Sequence, residues 1–172
     1  GPGAGCRDVT IRNTVIEGNV AASSYNFGLY VGSTSGAVDG PGNDNLTLEN
    51  CQIRRVTFGL QLFGAPGVPI QNTNILDNLF GDPVAGDGID SSAVTLGQAT
   101  GAVVHGNTIR NVLMIAGQHP INVLGGPVGI SLYEELTASV VTGNTITGVR
   151  YTGTSDYSGK GIDLLTAGDL LI

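Results

Sequence analysis

Tryptophan is missing from the 172 residues, methionine and lysine (Lys160) occur once each, and cysteine occurs twice. Two cysteines, Cys6 and Cys51, cannot make a disulfide framework; one bridge is open to them, and two separate buried thiols are the expected arrangement. Basic residues are scarce: seven Lys and Arg against fourteen Asp and Glu leave a net charge of −7. The positive surface that neutralises nucleic-acid phosphates is therefore lacking, and no nucleic-acid partner is expected. No apolar run approaches the ~18–20 residues that cross a bilayer, so no membrane insertion is expected, and no signal-peptide apolar segment is present.

What is abundant is glycine, at 28 residues, joined by 7 prolines. Inside a helix each Gly costs ~1 kcal/mol relative to Ala and each Pro about 3. Yet 41% of the chain is hydrophobic, too much for a disordered linker. Apolar, turn-rich and poor in helix formers, the chain reads as all-β, and its length suits one domain.

A pattern recurs five times, an alternating apolar triplet followed by a polar turn and an aliphatic residue. The copies are Val9–Ile16, Leu46–Ile53, Val68–Ile75, Ala102–Ile109 and Ser139–Ile146. Their final isoleucines are spaced by 37, 22, 34 and 37 residues. Each copy precedes a second signature: Gly28-Leu29-Tyr30-Val31, Gly59-Leu60-Gln61-Leu62, Gly88-Ile89-Asp90-Ser91, Gly129-Ile130-Ser131-Leu132 and Gly161-Ile162-Asp163-Leu164. Both alternate with period two, as half-buried strands do. Strands this short bury nothing alone; stacking like on like in parallel, ~4.8 Å apart, gives them a shared interior.

Three internal columns follow. One holds Ile11, Leu48, Ile70, Val104 and Val141; a second Ile16, Ile53, Ile75, Ile109 and Ile146; a third Leu29, Leu60, Ile89, Ile130 and Ile162. The asparagines between the first two, Asn13, Asn50, Asn72, Asn107 and Asn144, suit corners, because Asn tolerates the left-handed conformation and stacked amides hydrogen-bond between coils.

Val-x-Ile-x-Asn followed by Ile, then Gly-Ile/Leu-x-Leu, resembles the parallel β-helix repeat of the pectate-lyase-like superfamily, from Asp8 to Ile172. The resemblance implies a right-handed single-stranded parallel β-helix, a solenoid of about five coils plus the start of a sixth at Asp169–Ile172. Residues 1–172 then form a single β-helix domain and a segment of a longer protein. The superfamily includes polysaccharide lyases, glycoside hydrolases, uronate epimerases, phage tailspikes and non-enzymatic surface proteins.

Candidate sites lie where the repeat is interrupted. From the aligned Ile to the next Gly the distances are 12, 6, 13, 20 and 15 residues, so four insertions project from one corner. They carry Tyr25, Phe27, Phe80, Tyr151 and Tyr157 with Asp82, Asp87 and Asp156 interspersed, a set suited to stacking on sugar rings. From it Tyr25, Phe80, Asp87, Tyr151, Asp156 and Tyr157 are the candidate ligand-binding residues. Asp82 and Asp87 could hold Ca²⁺; no other cofactor is indicated. Asp90 and Asp163 fall in one outward column two coils apart, their backbones ~9–10 Å from each other, near the carboxylate spacing of inverting glycosidases. They are the catalytic candidates. Asp87-Gly88-Ile89-Asp90 resembles the Asp-Gly-x-Asp stretch of polygalacturonase-type hydrolases, although that family's adjacent aspartates, His-Gly step and Arg-x-Lys element have no counterparts here. His105 and His119 lack metal-ligand spacing, and Arg12, Arg54, Arg55 and Arg110 read as surface charges.

The expected function is a non-catalytic structural or binding segment of a secreted or cell-surface protein, contacting carbohydrate or self-associating through open coil ends. A polysaccharide lyase, hydrolase or epimerase is the alternative, and a phage tailspike or fibre fragment a weaker one. A negative chain repels polyuronates unless Ca²⁺ bridges them, which favours neutral glycans.

Overall fold

The computed structural model describes residues 6–19, 26–32, 43–65, 67–84, 88–115, 125–154, 157–165, 168 and 170–172. Alternating residues beside Gly or Asn extend for a few positions and then turn, so every described element is a strand, of two to twelve residues. All pairings between these strands are parallel. Three long sheets result, which the chain visits in turn, and Leu113–Met114 pairs with Arg150–Tyr151 in a two-stranded fourth. The first stacks Thr10–Arg12, Thr47–Glu49, Asn74–Leu76, Val103–His105, Ser139–Thr142 and Leu170–Leu171. The second stacks Val15–Glu17, Gln52–Arg54, Leu79–Phe80, Thr108–Arg110 and Thr145–Thr147. The third stacks Phe27–Val31, Val56–Phe63, Ile89–Thr100, Val128–Thr137 and Lys160–Leu164. Five-stranded sheets leave four turns between their first and last strands, slightly fewer than the coils counted from the signatures.

Aliphatic columns fill the interior. Ile11, Leu48, Ile75, Val104 and Val141 are in register in the first sheet. Ile16, Ile53, Phe80, Ile109 and Ile146 are in register in the second, and Leu29, Leu60, Val94, Ile130 and Ile162 in the third. The middle members of each column are fully buried, each contributing roughly 1.5–3 kcal/mol.

The third coil departs from the expected register. Ile75, not Ile70, sits beneath Leu48, and Phe80, not Ile75, beneath Ile53; Val94, not Ile89, lies between Leu60 and Ile130. Both readings place the two apolar residues five positions apart, so spacing alone does not separate them. Coil length does. The expected register demands coils of 22 and 34 residues, whereas Phe80 lies 27 residues after Ile53 and 29 before Ile109. Ile70 instead pairs with Ala99 at the far end of the long third-sheet strand, after a tight turn closed by Ala65 and Val68.

The corner from the first sheet to the second needs two residue types in succession. Asn13, Asn50, Asp77, Gly106 and Gly143 take positive φ, between 49° and 69°, a conformation that Asn, Asp and Gly adopt most readily. The next residue points inward, and there Asn78 and Asn107, both buried, and the half-buried Asn144 form an amide ladder. Asn78 Nδ2 donates to Asn107 Oδ1 (3.0 Å) and to the Leu48 carbonyl (2.9 Å). Asn107 Nδ2 repeats this with Asn144 Oδ1 (2.9 Å) and the Ile75 carbonyl (2.8 Å). Cys51 occupies the next rung and is buried; Cys6 is exposed, and both thiols are free. Asn72 belongs to a different corner, before the first sheet, where it donates to Asn45 Oδ1.

Candidate functional site

The third sheet has the longest strands and carries most of the aromatic residues on its outer side. A side chain added at Gly28, Gly59 or Gly129 would meet Ile53, Phe80 or Ile146 in the interior. The residues preceding them, Phe27, Phe58 and Val128, therefore face outward. Alternation breaks after these positions, because Leu29, Leu60, Val94 and Ile130 also pack on the core; from them on, Tyr30, Gln61, Thr95, Ser131 and, in register, Asp163 face outward. This outward column runs along the solenoid axis as a polar spine. Two residues further along each strand a second outward row begins, which includes Phe63, Gly97 and Tyr133 in register.

Rings flank the spine on both sides. Phe27 stacks on Phe58 with centroids 5.2 Å apart and 17° between planes, and meets Tyr30 edge-on at 5.2 Å. Across the spine Phe63 and Tyr133 meet edge-on at 6.5 Å. Five of the nine aromatic residues thus share one face. Phe27 is exposed and Tyr30, Gln61, Phe63, Tyr133 and Asp163 half-buried, whereas Phe58, at 7% exposure, and Ser92, Thr95 and Ser131 in the middle are buried.

The polar atoms of the spine are unevenly satisfied. Thr95 Oγ1 and Ser92 Oγ are 3.0 Å apart. Lys160 Nζ donates to Asp163 Oδ2 at 2.8 Å. Among the described residues, Ser131 Oγ and Gln98 Oε1 are buried with no hydrogen-bond partner. Buried polar atoms are nearly always paired, so these two stand out among the described residues.

Of the expected site residues, Tyr25, Asp87 and Asp156 lie outside the described residues, as does His119. Phe80 is corrected: with no exposed surface it is a core residue between Ile53 and Ile109, and no ligand can reach it. The paired column of Asp90 and Asp163 is corrected too. Thr95 holds the position two coils from Asp163, and Asp90 lies five residues earlier, ~16 Å along the strand at ~3.3 Å per residue. The bulges at Ile89–Ser92 and Gly97–Ala99 lengthen this strand, and Gly88-Ile89-Asp90 therefore only imitates the signature of its neighbours. Tyr151 and Tyr157 are brought together, edge-on at 5.5 Å. Sequence reasoning missed Tyr30, Phe58, Phe63 and Tyr133; the signal for Tyr30, Phe63 and Tyr133 was the outward parity of the residues beside Leu29, Leu62 and Leu132, a signal Phe58 lacks.

Asp82 meets a cation from the protein itself. Arg54 NH1 donates to Asp82 Oδ2 and NH2 to Glu17 Oε2, both at 2.9 Å, while Arg55 NH1 reaches Glu17 Oε1 at 3.0 Å. The Val84 N–H bonds the other Asp82 oxygen at 2.9 Å. The Val84 amide first, and Arg54 second, hold the Asp82 carboxyl below its ordinary range, although burial opposes them. Arg54 chiefly, with Arg55, does the same to Glu17, and Asp82 ahead of Glu17 raises the Arg54 guanidinium. Arg54 and Arg55, expected as surface charges, thus join Glu17 and Asp82, the latter expected as a Ca²⁺ candidate, in a tie from one coil to the next. Among the described residues no group of three or more His, Cys, Asp and Glu side chains is placed to hold a metal ion, and no helix is long and apolar enough to cross a membrane.

Comparison with known proteins gives one family: the model for the right-handed beta helix region matches residues 4–170. No curated protein and no solved structure matches the chain.

Proposed function

The chain belongs to the right-handed β-helix family, and from that fold we propose that it is a non-catalytic, carbohydrate-contacting segment of a secreted or cell-surface protein. The observation that carries this reading is the outer face of the third sheet, where Phe27, Phe58, Phe63 and Tyr133 flank a spine of Tyr30 followed by amide, hydroxyl and carboxylate groups. Sugars present apolar C–H faces between hydroxyl groups, and such a face meets both halves of that chemistry. A solenoid offers it as an extended track, its rungs ~4.8 Å apart.

Binding without cleavage is favoured by the carboxylates. Glycoside hydrolysis needs two, roughly 5–9.5 Å apart across the scissile bond. The spine holds one, Asp163, and Lys160 already engages it.

Electrophoresis through gels containing soluble xylan, glucomannan or mixed-linkage glucan tests the reading. Retardation by at least one, with no reducing ends released on long incubation, is the expected result. Release of reducing ends or of unsaturated products would replace it with the enzymatic alternative.

A further inference from the structure

Outward positions three residues apart meet within the third-sheet strands. In the first coil Phe27 touches Tyr30 edge-on at 5.2 Å. In the third, Ser92 Oγ and Thr95 Oγ1 are 3.0 Å apart, and in the fifth Lys160 Nζ donates to Asp163 Oδ2 at 2.8 Å. The register puts Phe58 and Gln61 in the same relation in the second coil, and Val128 and Ser131 in the fourth. Neither a Phe nor a Val side chain has a hydrogen-bonding atom, so these two spine groups lack the partner their counterparts have. Ser131 is fully buried, out of a ligand's reach. Gln61 is partly exposed, and among the described residues no hydrogen bond occupies its amide.

Gln61 also stands among rings. Tyr30 is its in-register neighbour one coil away, ~4.8 Å between backbones. Phe63 is the next outward residue of its own strand, ~6.6 Å further along, and both rings keep part of their surface in solvent. Thr95, the in-register neighbour on the other side, is engaged with Ser92. An amide sets donor and acceptor side by side. Its complement accepts and donates over the same short span, with apolar C–H surface beside it for the rings. Two adjacent hydroxyls of a pyranose meet both requirements, one accepting and the other donating.

We propose that Gln61 is the specificity-determining residue of the carbohydrate face, its amide bonding a vicinal pair of pyranose hydroxyls while Tyr30 and Phe63 contact the C–H surface. The proposal rests on the carbohydrate-contacting reading above and names the class of sugar, glycans whose interior rings keep two neighbouring hydroxyls free. Cello- and xylo-oligosaccharides keep such a pair on every interior ring. Chito-oligosaccharides carry an acetamido group in place of one of the two.

Calorimetric titration of the 172-residue chain, and of its Gln61→Leu and Gln61→Glu variants, with cellohexaose, xylohexaose and chitohexaose is the test. At least one of the first two should bind the natural chain saturably, and chitohexaose about tenfold more weakly or less. Gln61→Leu should weaken binding about tenfold. Gln61→Glu, which keeps acceptors and loses the donor, should weaken it too. Both variants should keep the unfolding temperature, since no described residue depends on the amide. Undiminished binding by Gln61→Leu, or chitohexaose binding as tightly as the others, overturns the proposal. Should the variants fail to fold, the side-chain amide resonances of Gln61 in the natural chain decide. They must shift on saturation with cellohexaose or xylohexaose, and resonances that stay in place are equally fatal. Tyr30→Ala separates the two readings: if it abolishes binding while Gln61→Leu does not, the amide is idle and the face stands. If no oligosaccharide binds, both fall.

Discussion

At the scale of single residues the polar interior is held by repetition. Asn78, Asn107 and Asn144 each donate to the first-sheet carbonyl of the preceding coil, those of Leu48, Ile75 and Val104. Cys51 holds the next rung, its Sγ 3.6 Å from the Ile11 carbonyl, and its N–H already donates to Asn78 Oδ1. Cys51→Asn should extend the ladder with a full-strength bond to Ile11, adding about 0.5–1.5 kcal/mol. Thermal unfolding should move up by about 2–4 °C per kcal/mol; a lower midpoint would contradict the ladder account. Asn107→Leu has the opposite sign, because the buried Asn78 N–H loses its acceptor, a defect worth about 1–3 kcal/mol. The Glu17–Arg54–Asp82 tie predicts a pH dependence. Both carboxyls sit below their ordinary values in the folded chain, so their stabilisation is present above the unfolded values near pH 4 and is lost as pH falls through the folded ones. Arg54→Met should move acid unfolding, followed by circular dichroism at constant ionic strength, to higher pH. An unmoved midpoint would show the ion pairs to be idle.

At the scale of strands and coils the third coil is the informative one. Phe80 is enclosed between Ile53 and Ile109, and Phe80→Ala should cost about 3–5 kcal/mol through the cavity it leaves. Val84→Ala, four residues on and exposed, should change stability by less than about 0.5 kcal/mol. Urea unfolding at unchanged slope is the measurement, and equal effects of the two would restore the register in which Phe80 faces a ligand. Four of the five coils were legible in the sequence because an aliphatic triplet, a corner residue and a second aliphatic recur there in one unambiguous frame. The third was misread because Ile70-Gln71-Asn72-Thr73-Asn74-Ile75 and Ile75-Leu76-Asp77-Asn78-Leu79-Phe80 both satisfy that frame. What chooses between them is the length of a full circuit, a global constraint that local spacing does not carry. The same slip misplaced Asp90, and with it the carboxylate pair. The aromatic face escaped notice for a different reason: its members recur once per coil, with Gly32 and Gly97 interrupting the run, so that stacking alone makes them neighbours.

At the scale of the whole molecule the solenoid separates holding from contacting. Interior columns and amide ladders carry the stability, which leaves the outward positions of the third sheet free to vary in chemistry from coil to coil. At one end of the stack the edge strands leave Ile162, Leu164 and Leu171 exposed, and at the other Cys6, Val9, Ile11, Leu29, Val31 and Leu46 help line an apolar hollow. Unpaired parallel edges with apolar side chains favour association. The 172-residue chain should sediment with a weight that rises with concentration, and Leu164→Glu with Leu171→Lys should abolish the rise; a strict monomer at all concentrations would contradict this. The central claim concerns the sheet's face rather than the ends of the stack. Its most direct test is an aromatic-resonance titration with the neutral oligosaccharide that binds best. Shifts confined to Phe27, Tyr30, Phe58, Phe63 and Tyr133 are predicted, with Phe80 unmoved in the core. Shifts that map to the first or second sheet instead would contradict the account.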